Sequence, residues 1–140
     1  MSNLAVLSFA AAFMVSGSPA AQAWTPDMQR GLDLYFAKTD AASLTLICDP
    51  LGVYGGDETA ILVSIGGKDA LTGKLTIRFD DGAAVELGLS RGRFGKRDST
   101  SGTWAELLAN LRSQTDVTLI WDGNKATTLS TGKAVTFSCT

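Results

Sequence analysis

The densest chemistry in this sequence lies in Arg91-Gly92-Arg93-Phe94-Gly95-Lys96-Arg97, which holds four of the chain's 12 basic residues. Guanidinium groups fork onto carboxylate or phosphate oxygens, and glycines let a backbone approach a ligand closely. An aromatic ring among cations can stack on a sugar or base. Arg91, Arg93, Lys96 and Arg97, with Phe94 for apolar contact, are therefore a candidate anion-binding loop. The plainer alternative is a solvated connector with Phe94 tucked into the core. Gly52-Val53-Tyr54-Gly55-Gly56 lacks the lysine and following helix of a phosphate-binding loop. It reads as an exposed loop, with Tyr54 as a further candidate contact residue.

The acidic pairs are Asp57-Glu58 and Asp80-Asp81. A glycosidase needs two carboxylates facing each other across a cleft. Asp80-Asp81 is already explained by turn chemistry. Asp57-Glu58 lacks the alternating oxygen spacing of an EF-hand loop. The chain has no histidine. That removes the commonest general base near neutral pH, the Ser–His and Cys–His nucleophile pairs, and imidazole metal ligands. The residues imply no metal, no cofactor and no catalytic set.

The sequence of 140 residues suits one domain. Leu4 to Val15 is apolar apart from Ser8, Ser16-Gly17-Ser18-Pro19 breaks the run, and Ala21-Gln22-Ala23 is a small-x-small cleavage site. We therefore expect 1–23 to be a signal peptide, although Met1-Ser2-Asn3 carries no basic residue. The remaining chain, 24–140, is expected to be a single β-rich domain, periplasmic or secreted. Trp24, not a cysteine, directly follows the cleavage site, which argues against a lipid-anchored start. The apolar run is short for a bilayer span, so the mature chain is expected to lack a transmembrane segment. The net charge of −2 implies no general affinity for nucleic acid or anionic membrane.

Cys48 and Cys139 are the only cysteines. In an oxidising compartment an even count predicts one disulfide. Cys48 shares a strand face with Leu44 and Leu46, and Cys139 shares one with Val135 and Phe137, so both thiols are expected to point into the core.

These features need elements to position them. Trp104, Leu107, Leu108 and Leu111 fall at i, i+3, i+4 and i+7 and predict a helix over about 103–113, with Thr103 and Glu106 spaced as a capping box. Val117 to Trp121 predicts a strand that turns at Asp122-Gly123-Asn124 and returns through Ala126 to Leu129. In 75–89, a three-residue loop Asp80-Asp81-Gly82 is expected. It pairs Phe79 with Ala83, Ile77 with Val85 and Leu75 with Leu87, whereas a two-residue Asp-Gly turn would mix core and solvent positions. Ser43–Cys48 and Thr59–Ile65 read as strands, and Ser90–Gly102 as a polar connector. Residues 26–37 are ambiguous between a helix starting at Thr25-Pro26 and a strand with Leu32, Leu34 and Phe36 on one side. The reading adopted is one helical turn followed by a strand. Val135–Cys139 closes the chain as a strand or a short helical turn. The expected fold class is α+β: a mostly antiparallel sheet of seven or eight strands, curved or partly closed into a barrel, with one helix packed on it.

The exported start at Trp24, the Ser43-Leu-Thr-Leu-Ile-Cys-Asp-Pro50 strand, the Trp104–Leu111 helix, its Val117–Trp121 strand and the closing Gly132…Ala134…Cys139 together resemble the invasion-associated locus B family. Those are small periplasmic proteins of alphaproteobacteria. The resemblance implies a periplasmic or surface role and no established catalytic residues. The expected function is a non-catalytic binding module of the cell envelope, such as an inhibitor or accessory protein. Its partner would be a protein or an anionic envelope component. The alternative is a histidine-free hydrolase using a carboxylate pair.

Overall fold

A computed structural model describes residues 24–55, 58–100, 102–121, 125–130 and 137–139. It opens with a hairpin of β1 (Thr25–Gln29) and β2 (Leu32–Lys38), which corrects the expected helical turn. Arg30 and Gly31 both have positive φ, at 53° and 82°. That is the backbone of a type I′ turn, whose twist suits a two-residue hairpin. Pro26 is tolerated because β1 is an edge strand, where a missing N–H removes no central ladder bond. Met28 on β1 is 70% exposed.

The chain continues through β3 (Ala42–Cys48), β4 (Ala60–Ile65), β5 (Gly73–Phe79), β6 (Ala84–Leu89), β7 (Arg93–Gly95), α1 (Thr103–Ser113), β8 (Asp116–Trp121) and β9 (Lys125–Ser130). Among the described residues there are nine strands in two antiparallel sheets, in the orders β1-β2-β3-β4-β7 and β6-β5-β8-β9. The expectation of one curved sheet or partly closed barrel of seven or eight strands is corrected to this pair of open sheets. The reason lies in the β4–β5, β6–β7 and β7–β8 connections, each of which crosses from one sheet to the other. The supposed connector from Ser90 contains a strand that pairs with β4, not with β6.

The β5–β6 register is the one parity demanded, with Leu75 opposite Leu87 and Ile77 opposite Val85. Phe79 and Ala83 close the turn through the Phe79 N–H and the Ala83 carbonyl at 2.8 Å, and Gly82 takes φ 87°. β8 and β9 form the expected second hairpin, with Trp121 opposite Lys125. Its turn at 122–124 lies outside the described residues, as do 131–136 of the expected closing segment.

Each sheet contributes one face to a single contiguous core. Leu44, Leu46, Ile61 and Val63 meet Leu75, Ile77, Leu87 and Leu119 there, and Trp104, Leu107, Leu108 and Leu111 of α1 join them. Full burial of each such side chain stabilises by about 1.5–3 kcal/mol. The capping box does not form. Gly102 is the N-cap in the left-handed region, and Thr103 is already helical. Ser99 Oγ accepts the Trp104 N–H instead, at 2.8 Å.

Cys48 and Cys139 are disulfide-bonded, with Cα atoms 4.8 Å apart. The closing residues are held by further contacts. Phe137 meets the edges of Trp24 and Tyr35, and Arg112 Nη2 donates to the carbonyls of Phe137 and Cys139. No helix among the described residues is long and apolar enough to cross a membrane.

Candidate functional site

The basic stretch does not stay together. Ser90 to Arg93 is a tight turn in which Ser90 and Arg93 exchange both backbone hydrogen bonds at 3.0 Å. Its central residues, Arg91 and Gly92, have φ 51° and 76°, a second type I′ turn. The turn is clamped from both sides. Gly92 N–H donates to the Leu71 carbonyl at 2.7 Å, and the Val63 N–H donates to the Gly92 carbonyl at 2.8 Å. A Cβ at Gly92 would stand 2.0 Å from the Asp69 carbonyl oxygen, so the close backbone approach that glycine permits here is to the chain itself.

From this turn β7 runs antiparallel along β4, with Arg93 opposite Leu62 and Gly95 opposite Ala60. Arg93 therefore lies on the outer face of the five-stranded sheet. A Cβ at Gly95 would stand 2.9 Å from both Arg93 Nη1 and Asp98 Oδ2, so guanidinium and carboxylate converge over that glycine. Asp98 Oδ2 also accepts the Gly95 N–H at 3.1 Å. Arg93 and Arg97 are both engaged within the fold. Phe94 points the other way, is 5% exposed, and stacks on Trp104 with ring centroids 6.4 Å apart. Its expected role as a ligand contact is corrected: Phe94 is a core residue.

Lys96 begins a single 3₁₀ turn, Lys96–Asp98, and its N–H donates to the Thr59 carbonyl at 2.9 Å. Thr59 stands at the base of the β3–β4 loop, where its Oγ1 accepts the Asp49 N–H. Lys96 and Arg97 thus sit at the loop end of the sheet, together with Tyr54. Arg91 sits at the other end, about three strand residues or roughly 10 Å along β4.

The loop end has a built geometry. Asp49 Oδ1 accepts the Val53 N–H and Oδ2 the Tyr54 N–H, each at 2.9 Å. Tyr54 OH donates to the Arg30 carbonyl at 3.2 Å. Val53 Cγ2 lies over Gly31, 3.4 Å from where a Cβ would stand. The large apolar side chains exposed among the described residues are Met28, Leu51, Val53 and Tyr54. All four belong to this loop and the β1–β2 hairpin it touches.

Sequence reasoning missed two other places. Ser138 Oγ donates to Asp33 Oδ2 at 2.6 Å, and the Ser138 N–H donates to Tyr35 OH at 3.1 Å. Nothing local signals this pairing, because the partners lie 105 positions apart. Beside Arg91, a shallow cavity of about 280 Å³ is lined by Ser43, Thr45, Leu62, Ser64, Asp69 and Arg91. A second hollow of about 310 Å³ adjoins it, sharing Ser43 and Ser64 and adding Lys38 and Thr39. Outward strand hydroxyls look like ordinary solvated positions in sequence, so only the fold reveals their grouping.

The acidic pairs are split between the loop and a turn. Asp81 Oδ1 accepts the Ala83 N–H at 2.9 Å and its Oδ2 accepts Gln114 Nε2 at 3.0 Å, so its carboxylate organises the β5–β6 turn. Glu58 is exposed, and Asp57 lies outside the described residues. Among the described residues no three His, Cys, Asp or Glu side chains converge as a metal site. No family model, curated protein or solved structure matches the chain.

Proposed function

We propose that this chain is an exported, non-catalytic binding protein of the cell envelope that docks a protein partner through the loop end of its five-stranded sheet. One observation carries this reading: Met28, Leu51, Val53 and Tyr54 are exposed at one end on segments fastened to each other. Leu51 is 82% exposed, which wastes burial energy in an isolated chain. Clustered exposed apolar residues mark interaction surfaces. The Asp49 clamp lowers the entropy lost when such a loop binds. Lys96 adds a cation at the rim, where it favours an acidic partner surface and speeds encounter. A raised, rigid loop with an apolar tip suits a concave partner, and inhibition of an envelope hydrolase is the concrete form this takes.

The envelope setting rests on the Leu4–Val15 run, the Ala21-Gln22-Ala23 site and the resemblance to invasion-associated locus B proteins. A buried disulfide accords with an oxidising compartment. The test is capture from host envelope extracts on immobilised wild-type protein and on a Leu51→Ser, Val53→Ser, Tyr54→Ser variant. A partner retained by the wild type and lost by the variant, with the two melting alike, is the expected result. The same proteins on both columns overturn it.

A further inference from the structure

The outer faces of the two sheets differ. The four-stranded sheet presents Lys74, Thr76, Arg78, Glu86, Thr118 and Thr128, with a Lys74–Glu86 ion pair at 3.0 Å. The five-stranded sheet presents half-buried Phe36, Ile47 and Leu62 along its middle, and turns hydroxylic only toward the Arg91 end. There Ser43 and Ser64 are a cross-strand pair, and Thr45 stands opposite both Leu62 and Phe36 on neighbouring strands. Two walls rise over this floor, Asp69 from the segment after β4 and Arg91 from its turn. Neither wall is loosely attached. Arg91 N–H donates to Thr72 Oγ1 at 3.2 Å, and the clamps on Gly92 hold the turn against β4 and Leu71.

The side-chain groups of Ser43, Thr45, Ser64, Asp69 and Arg91 have no hydrogen-bond or ion-pair partner among the described residues. This contrasts with Asp33, Asp49, Asp81 and Asp98, whose oxygens are occupied by the fold. The groove therefore offers one forked cation, one carboxylate acceptor and three hydroxyls that both donate and accept, with Leu62 as its apolar side chain.

We infer that this groove binds a carboxylated oligosaccharide, a chain of sugar-acid units, at a site separate from the loop end. Arg91 forks onto the sugar carboxylate. Asp69 and the hydroxyls of Ser43, Thr45 and Ser64 pair with ring hydroxyls. Leu62 lies under ring C–H groups. A phosphate-rich ligand fits less well, because each terminal phosphate brings nearly two negative charges to a cavity that holds one guanidinium beside Asp69, and one guanidinium balances a single carboxylate. Nucleic acid fits poorly because affinity for it comes from many cations, not one. The cavity is small for a single ligand pocket, but the adjoining hollow continues it past Ser43 and Ser64 to Lys38. Two hollows in line accept a chain better than one ring.

The probe is trigalacturonate, with its fully methyl-esterified form as the uncharged comparison, titrated into the ¹⁵N-labelled disulfide-bonded protein. Amide shifts confined to Ser43, Thr45, Ser64, Arg91 and Gly92 are expected, with the ester bound about tenfold more weakly. Arg91→Asn removes the guanidinium while keeping a residue that tolerates φ near +50°, and should weaken binding by a similar factor at unchanged melting temperature. No shift at millimolar trigalacturonate, or equal affinity for acid and ester, overturns the inference. So do shifts centred on Tyr54 and Lys96, or equal shifts of the same amides with tripolyphosphate. The Leu51, Val53, Tyr54 variant should titrate like the wild type, so failure at one end leaves the other reading standing.

Discussion

Gly92 and Gly102 separate two effects that a glycine substitution usually mixes. Both are left-handed, at φ 76° and 77°. A Cβ at Gly102 meets nothing within 4 Å, whereas at Gly92 it meets the Asp69 carbonyl at 2.0 Å. Gly102→Ala should therefore cost only the conformational penalty, about 1 kcal/mol. Gly92→Ala adds overpacking against backbone that cannot swing aside, for roughly 2–4 kcal/mol in all. Urea denaturation of both variants measures the difference. Similar midpoints would mean that the clamp at Gly92 is not as tight as the geometry states. The sequence made Arg91–Arg97 conspicuous by charge, but charge alone does not say where each side chain points. Strand alternation sends Arg93 outward and Phe94 inward. The two cations beyond β7 fall at the far end from Arg91, beside Tyr54. Arg91 and Tyr54 were therefore legible as surface residues and illegible as neighbours or strangers.

Among the elements, those with long apolar periodicity were legible and the short ones were not. The β5–β6 register followed from parity, because slipping by one residue would turn Leu75, Ile77, Val85 and Leu87 outward. β1 has five residues, none buried, and so carries no alternation to read. Thr25-Pro26 imitates a helix start there, and Arg30-Gly31 lacks the usual asparagine or aspartate of a type I′ turn. β7 has three residues, too few for any pattern. The start of α1 shows how a local motif loses to its surroundings. Gly102 takes the N-cap position with no side chain to offer, so the first turn finds its acceptor further upstream, at Ser99. Ser99→Ala should then cost about 1 kcal/mol, the usual worth of a lost cap. Changing Glu106 to Ala should leave stability nearly unchanged, since its backbone N–H, not its side chain, serves the helix start by donating to the Gly102 carbonyl at 3.0 Å. Thermal melts of the two variants test this order; a larger loss for Glu106→Ala would restore the capping box.

At the scale of the molecule, the disulfide joins stability to the loop end proposed for docking. Cys48 and Cys139 are 91 positions apart, so the bond should stabilise by roughly 4–5 kcal/mol on a chain-entropy account. The closing segment keeps other anchors when the bond is lost: Phe137 against Trp24 and Tyr35, Ser138 on Asp33, and Arg112 on two carbonyls. A Cys48→Ala, Cys139→Ala variant should accordingly fold, with a loss nearer 2–5 kcal/mol than complete collapse. The loss should not spread evenly. Cys48 ends β3 and is followed directly by Asp49, whose carboxylate holds the Val53 and Tyr54 amides. Removing the bond frees the strand end that positions this clamp. The Arg91 turn is fastened instead to Val63 and Leu71, at the opposite end of β4. Amide hydrogen exchange on the double variant should quicken at Val53 and Tyr54 by more than at Gly92, and capture of the protein partner should weaken while trigalacturonate binding holds. Equal acceleration at both ends would show the disulfide to be a global staple with no particular hold on the β3–β4 loop.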